Sequence, residues 1–437
     1  EVLQPNSKQA LADVIDQTVL HQFDLGMGPL YKIRLFISGT NEYVLVFVMH
    51  HIISDGWSLG VFFHELKLNY QSLQKHNLLS IRSHSIPPLA TQYADYAISQ
   101  TRKVETGQFS NQLDYWLDKL KGAPALLDFP FDHPRQLSHQ DEDKSSTLNG
   151  GTSRFTINRE LLQKIQILAT ESQSSLFMIG FAAYSALLNL YSRQDDIVIG
   201  TPIANRQQKE LEPLIGFFVN SLALRMQFHP EMTFTELLQQ VRDTSLDAYE
   251  NQDIPFNKVV EGLSLSRNLD YNPVFQAMFI VQNSPVNNEE VAGLKVSPYP
   301  LPQHKPMFDL MFSLTEANGE IEAVISYNNK LLDHLSVLRL QQHYISLLEC
   351  CVQTPGKSIY KMDLRAKTER SLKPNHGAAN TSSSLLALFS QAVQQSPTAI
   401  ALSGSEAGSS DITYQQLNEQ SHLLAHWLLD QGVKQND

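Results

Sequence analysis

Two histidines, His50 and His51, stand side by side in the stretch FVMHHIISDGWS (residues 47–58), and Asp55 and Gly56 follow within a few positions. A neutral imidazole takes up a proton readily near physiological pH, which makes His the usual general base. Asp55, four residues beyond His51, has two ways to contribute. It can orient the imidazole directly, or it can turn away and form a buried ion pair that stiffens the turn. Zinc binding is the rival chemistry, but the stretch offers no third ligand at a familiar spacing. From residue types alone, catalytic and structural roles for the histidines stand side by side.

A base needs a rigid mount. Residues 42–50 (EYVLVFVMH) are β-branched and aromatic and predict a buried strand. Residues 58–76 predict a partly buried helix through Leu59, Phe62, Phe63, Leu66, Leu68 and Tyr70, with Ser58 as its N-cap. The His-His-Asp-Gly cluster thus falls on a short strand-to-helix turn, for which Gly56 supplies backbone freedom. The strand holds the turn still while the turn projects the side chains.

The rest of the chain reads as further units of the same kind. Residues 78–92 form a polar loop and 112–122 a helix. The Pro-broken, charged stretch 129–146 reads as a linker between two lobes. Residues 150–157 predict a strand and 176–192 a helix buried all round. Residues 195–206 predict a buried strand running into a turn, and 324–333 a strand before a helix over 334–353. Residues 365–384 are the clearest linker, and 385–437 open a new unit.

Bulk properties bound the function. A length of 437 residues suggests two or three units, and 42% hydrophobic with 18% charged residues predicts a packed globular protein. A net charge of −12 argues against nucleic acid as the main partner. No apolar run reaches membrane-span length and no signal peptide opens the chain, so a cytoplasmic location without a membrane partner is expected. The two cysteines, Cys350 and Cys351, are neighbours and read as reduced thiols rather than a metal site or a disulfide.

The His-His turn resembles the HHxxxDG motif of condensation domains from nonribosomal peptide synthetases. YADYA (93–97) resembles that family's YxDYA motif, and IGFFVNSLALR (215–225) its IGxFVNTxxxR motif. NQDIPFNKVV (251–260) resembles (H/N)QDxPFE, with Asn257 where Glu is usual. LSRNLDYNPVFQAMF (265–279) is similar to an altered RDxSxNPLFQ, and YSRQDDIVIGTPIANR (191–206) also fits the family. The matches run in order across residues 20–365. The tail, LFSQAVQQSPTAIALSG followed by ITYQQLNEQSHLLAHWLLDQGV, resembles the opening of an adenylation domain.

This resemblance implies an α/β fold like chloramphenicol acetyltransferase, with two lobes in a V and the active site between them. Residues 1–128 become the first lobe, 129–364 the second, 365–384 a linker and 385–437 the beginning of an adenylation domain. The first lobe would be incomplete at its start, exposing an apolar seam. Substrates would arrive as thioesters on the 4'-phosphopantetheine arms of upstream donor and downstream acceptor carrier proteins, with no cofactor bound directly. His51 is the implied catalytic residue, as a general base or as a group that places the attacking amine. His50 shapes the turn, and Asp55 pairs with Arg206. Gly56 keeps space for the substrate tunnel, for which Trp57, Ser58 and Asn220 are candidate lining residues. Tyr93, Asp95 and Tyr96 belong to the scaffold, while Gln252, Asp253 and Pro255 order a loop crossing between the lobes. The Ile-Ser pair inside the motif resembles the subtype that joins an L-configured donor to an L-configured acceptor. Two other readings are a catalytically inactive condensation-like module that recruits proteins, and a coenzyme-A-dependent HxxxD acyltransferase.

Overall fold

The structure, a computed structural model, describes residues 2–3, 8–76, 86–135, 150–264, 271–282, 289–291, 293–299, 307–365, 385–403 and 411–432. The chain divides into two compact units, residues 1–366 and 367–437.

Among the described residues, the first unit contains a three-stranded sheet, a six-stranded sheet and a two-stranded hairpin. In the three-stranded sheet, β1 (Val2–Leu3) runs parallel to β2 (Tyr31–Ile37), and β2 runs antiparallel to β3 (Tyr43–Met49). Side chains alternate across the pleat. One face presents Phe36 and Val46 to Leu11 and Ile15 of α1 (Lys8–Val19), which makes a small core. On the other face, Tyr31, Ile33, Tyr43 and Leu45 are exposed, while Phe47 stacks on Phe62 with ring centroids 4.1 Å apart. The stretch 42–50 therefore forms its strand but is not buried, since Val46 is its one fully buried residue. A continuous apolar run suits a strand covered on both sides, and here α1 covers only one.

After β3, a turn of 3-10 helix (His51–Ile53) leads into α2 (Gly56–His76). Two helices follow, α3 (Tyr93–Glu105) and α4 (Ser110–Leu120). The stretch 129–146 is not a free linker at its start. Phe129 is buried and stacks on Tyr191, and the His133 amide donates to the Leu331 carbonyl. Residues 136–146 lie outside the described residues, as do 78–85 of the polar loop.

The larger sheet has six strands: β4 (Gly150–Ile157), β5 (Asp196–Ile203), β6 (Asn220–Gln227), β7 (Ala277–Gln282), β10 (Leu310–Ala317) and β11 (Glu320–Asn328). A separate hairpin of β8 (Glu289–Val291) and β9 (Leu294–Val296) lies between β7 and β10 in the chain. Across the sheet the order is β4-β11-β10-β7-β5-β6. β7 is parallel to β5 and β10, and the remaining pairs are antiparallel. Helices α5 (Arg159–Glu171), α6 (Leu176–Ser192), α7 (Phe234–Glu250), α8 (Phe256–Gly262) and α9 (His334–Gln353) complete this part. α6 is apolar around its circumference and buried from Met178 to Asn189, as its composition demands. Tyr184, Phe279, Phe312 and Tyr344 interlock at the centre of the core. β11 begins at Glu320, earlier than the strand read at 324–333, whose last residues turn into α9. No single described helix is long and apolar enough to cross a membrane. α5 and α6 pass together by length and composition, but they bend by 105° and pack into this core.

The second unit holds α10 (Leu385–Gln395), an antiparallel pair of β12 (Ile400–Leu402) with β13 (Ile412–Thr413), and α11 (Tyr414–Asp430). Thr413 and Gln416 form a capping box that starts α11. Residues 366–384, nearly all of the expected linker, lie outside the described residues.

Candidate active site

His50 closes the strand and starts the turn. Its amide donates to the Leu30 carbonyl at 2.9 Å, and its Nδ1 accepts the Ile52 amide at 3.1 Å. With that nitrogen engaged, His50 acts as the N-cap of the short 3-10 turn. His51 follows and is exposed. Among the described residues no group hydrogen-bonds either of its ring nitrogens; its ring instead meets Phe217 edge-on, with centroids 5.2 Å apart and planes at 86°.

Asp55 takes the second of the two roles the sequence left open, for it turns away from His51. Its Oδ1 accepts the Ser58 amide at 2.8 Å and the Ser58 hydroxyl at 2.7 Å, which makes Asp55 the N-cap of α2. The helix thus begins two residues earlier than expected, and the cap is Asp55, not Ser58. The carboxylate's other oxygen, Oδ2, accepts the backbone amides of Phe218 at 2.9 Å and Val219 at 3.2 Å. Arg206 Nη2 lies 3.3 Å from Oδ1, and the Arg206 and Asp55 side chains are 1% and 3% exposed.

A buried ion pair is stable only when further hydrogen bonds satisfy both ions. Arg206 meets most of that need by donating through Nη1 to the Leu211 and Leu214 carbonyls and through Nη2 to Ser58 Oγ, while its guanidinium sits 3.9 Å from the centre of the Phe218 ring and its buried Nε has no hydrogen-bond partner among the described residues. Burial lowers the Arg206 pKa and the Asp55 charge opposes that shift. An arginine so placed remains a cation at any physiological pH.

Ser58 is fully buried within this network, not in a tunnel wall. Its hydroxyl accepts the Gly216 amide at 3.1 Å and lies 2.9 Å from the Gly216 carbonyl. Trp57 is half exposed, but its indole N–H is tied to the Glu212 carbonyl at 2.9 Å. Asn220 does not line a tunnel through a free amide. Its Nδ2 donates to the Gln252 and Ile254 carbonyls, and its Oδ1 accepts the Phe256 amide. It braces the 252–256 loop, which Gln112 of α4 also holds through the amides of Asp253 and Ile254. Asp253 bonds Gln112 and Gln207, and Gln252 turns back to Tyr249. Gly56 has no left-handed backbone, so conformational freedom is not what it supplies. A Cβ there would meet no atom within 4 Å, so glycine leaves open space beside the turn.

Two residues outside the sequence-predicted set, Gly216 and Phe217, complete this arrangement, and Tyr93, expected in the scaffold, braces them. A Cβ on Gly216 would lie 2.2 Å from Tyr93 Cδ2, so only glycine fits against that ring. The Tyr93 hydroxyl donates to the Phe217 carbonyl at 3.0 Å. Tyr93, Tyr96 and Phe218 pack together with Leu211 and Leu214, while Asp95 accepts the Gln92 amide at the start of α3. The IGFFVN motif was itself a signal, but it pointed to Asn220 rather than to the glycine and the phenylalanine that touch the His turn. A separate cavity lies between α4 and α8, lined by Phe109, Leu113, Ile254, Lys258 and Glu261, and takes no wall from the His turn. Arg267, in the altered motif before Asn272, lies outside the described residues.

A family model described as the condensation domain matches residues 2–372. The chain is 35% identical to a component of the linear gramicidin synthase of Brevibacillus parabrevis over 439 residues, which is 99% of this chain and 8% of that protein. It is 36% identical to malpinin synthetase of Mortierella alpina over 425 residues, 96% of this chain and 5% of that one. The chain thus spans less than a tenth of the length of these relatives. Among solved structures, the X-domain from teicoplanin biosynthesis superposes with a TM-score of 0.74 at 26% identity, covering 83% of this chain and 81% of that one. A four-domain nonribosomal peptide synthetase bound to AMP and glycine superposes with a TM-score of 0.73 at 23% identity, covering 100% of this chain and 33% of that one, which is a likeness of fold.

Proposed function

Because the chain belongs to the condensation-domain family of nonribosomal peptide synthetases, we propose that it forms a peptide bond at the His50–His51 turn. The acceptor's α-amine, carried as an aminoacyl thioester on one carrier protein, attacks the thioester carbonyl of the donor held on another. A C–N bond forms, the C–S bond breaks, and the donor's phosphopantetheine thiol leaves with the proton lost by the amine. The observation that carries this reading is an exposed imidazole, His51, on a turn locked by a buried Asp55–Arg206–Ser58 network.

His51 acts by placing the amine and steadying developing charge more than by deep deprotonation. An α-amine has a pKa near 8, so about a tenth of it is already neutral at pH 7. Strongly activated bases are held by a third group such as a carboxylate, and Asp55 faces the other way. Positioning and electrostatic stabilisation need an oriented ring but no charged partner.

The finer assignments rest on the motifs. The Ile-Ser pair at 53–54 supports joining of two L-configured residues. The 385–437 stretch reads as part of an adenylation domain, and the two condensation lobes as 1–128 and 129–364. Upstream and downstream carrier proteins are the partners, and the location is the cytoplasm.

A single-turnover assay with aminoacylated donor and acceptor carrier proteins tests the proposal, comparing wild type with His51→Ala. Dipeptidyl product from wild type, strongly reduced in a folded mutant, supports it. Equal product from both removes His51 from the mechanism. A second reading, recruitment without turnover, draws on the superposition with an X-domain solved in complex with OxyB, at a TM-score of 0.73 and 26% identity. Binding of another protein with no product from wild type would favour that reading.

A further inference from the structure

We propose that Phe217 is the positioning residue for His51, and that the buried Asp55 network acts on the imidazole through it. The inference rests on the condensation reading of the site and adds the group that orients its key residue. A base or positioning imidazole needs a partner to hold its ring. Asp55 is not that partner, since its oxygens face Ser58, Arg206 and the amides of Phe218 and Val219. His50 is occupied with the Ile52 amide. The ring that does meet His51 is Phe217, perpendicular to it at 5.2 Å, the edge-to-face geometry that aromatic pairs favour.

Phe217 can serve because its own backbone is fixed on every side. The preceding residue, Gly216, donates its amide to Ser58 Oγ, and its carbonyl lies 2.9 Å from the same oxygen. The next two amides, of Phe218 and Val219, point at Asp55 Oδ2. The Phe217 carbonyl itself accepts the Tyr93 hydroxyl. What residue 217 leaves open is its side chain, which is 39% exposed and lies against the exposed His51 imidazole. The carboxylate that ordinarily would touch the imidazole is here one step removed. It fixes a backbone segment, and the segment aims a phenyl ring.

The test compares wild type, Phe217→Leu and Phe217→Tyr in the full chain, using single-turnover condensation across a range of acceptor carrier-protein concentrations. An aromatic contact of this kind corresponds to a rate change of about 3- to 10-fold. Phe217→Leu is therefore expected to slow the saturating rate by about that factor with little change in acceptor KM, and Phe217→Tyr to restore it. The ring-proton resonances of His51, assigned by their loss in His51→Ala, should move in Phe217→Leu as the phenyl ring current disappears. An unchanged saturating rate, an effect confined to KM, or unmoved His51 resonances would each overturn the proposal. Should Phe217→Leu melt early, Phe217→Met, of similar volume, takes its place in both measurements. If wild type makes no product, the condensation reading fails, and the resonance comparison still decides whether Phe217 orients His51.

Discussion

Asp55 shows how one side chain can be indispensable without touching a substrate. It caps α2, pairs with Arg206 and holds two amides of a distant segment. Asp55→Ala should therefore destabilise the protein by about 3–5 kcal/mol, because it strands the Arg206 cation in a buried site. Urea denaturation with tryptophan fluorescence would measure the loss. Ser58→Ala removes only the hydroxyl from the same network and should cost about 1–3 kcal/mol. His51→Ala, exposed and without a hydrogen-bonding partner among the described residues, should leave stability nearly unchanged while lowering turnover by about a hundredfold or more, the scale of losing one group that steadies developing charge. The contrast between a folding phenotype and a chemical one checks the division of labour within one turn. Part of this is legible in the residues themselves. The pairing of His50 and His51 ahead of Asp-Gly marks the turn, but the residues leave two roles for Asp55, and its pairing with Arg206 is what the family resemblance implies. The role of Ser58 was not legible, since its decisive partner, Gly216, lies 158 positions away.

At the level of elements, the segment 215–220 is a joint between the His turn, α3 and the 252–256 loop. Gly216→Ala should destabilise it, because the Tyr93 ring has no room for a Cβ. Adding Tyr93→Ala should recover part of that loss, a non-additivity that a double-mutant cycle would reveal. The same packing has a signature in alkali. Burial, reinforced by the nearby Tyr93 and Asp253, pushes the Tyr96 phenol up to about 12. A group whose folded pKa is raised stabilises the fold below its unfolded pKa, and that contribution is lost as pH rises from about 10 through about 12. Ultraviolet titration should show Tyr96 ionising after the exposed tyrosines, and Tyr96→Phe should take one phenol out of a late component that Tyr115, also pushed up to about 12 by burial, shares. Elements with a strong local pattern were readable: β4 at 150–157 and α9 over 334–353 lie where periodicity put them. β3 was read as buried because its composition is that of a doubly covered strand, while cover is decided by which helices pack, and that is a tertiary fact.

Across the molecule, stability is unevenly distributed between the two units. The first has a large core cluster in which Phe181, Phe279, Phe312 and Tyr344 are fully buried, beside two smaller clusters. In the second, α11 has no buried residue, and Leu423, Trp427 and Leu429 are exposed. Hydrogen exchange should therefore find the amides of α6 among the slowest and those of α11 among the fastest of the helices, with local opening free energies to match. Uniform protection in both would contradict this picture. The three tryptophans sample these same regions: Trp116 is buried, Trp427 sits on α11, and Trp57 is half exposed beside the His turn with its indole bonded to Glu212. With Trp427 replaced by Phe, two emitters of unequal colour remain, one shielded and one wet. A quencher such as iodide should dim Trp57 far more than Trp116, and under the proposed function a substrate arm reaching the turn should reduce that quenching. The fold thus contains its own optical gauge of occupancy, which needs no attached dye.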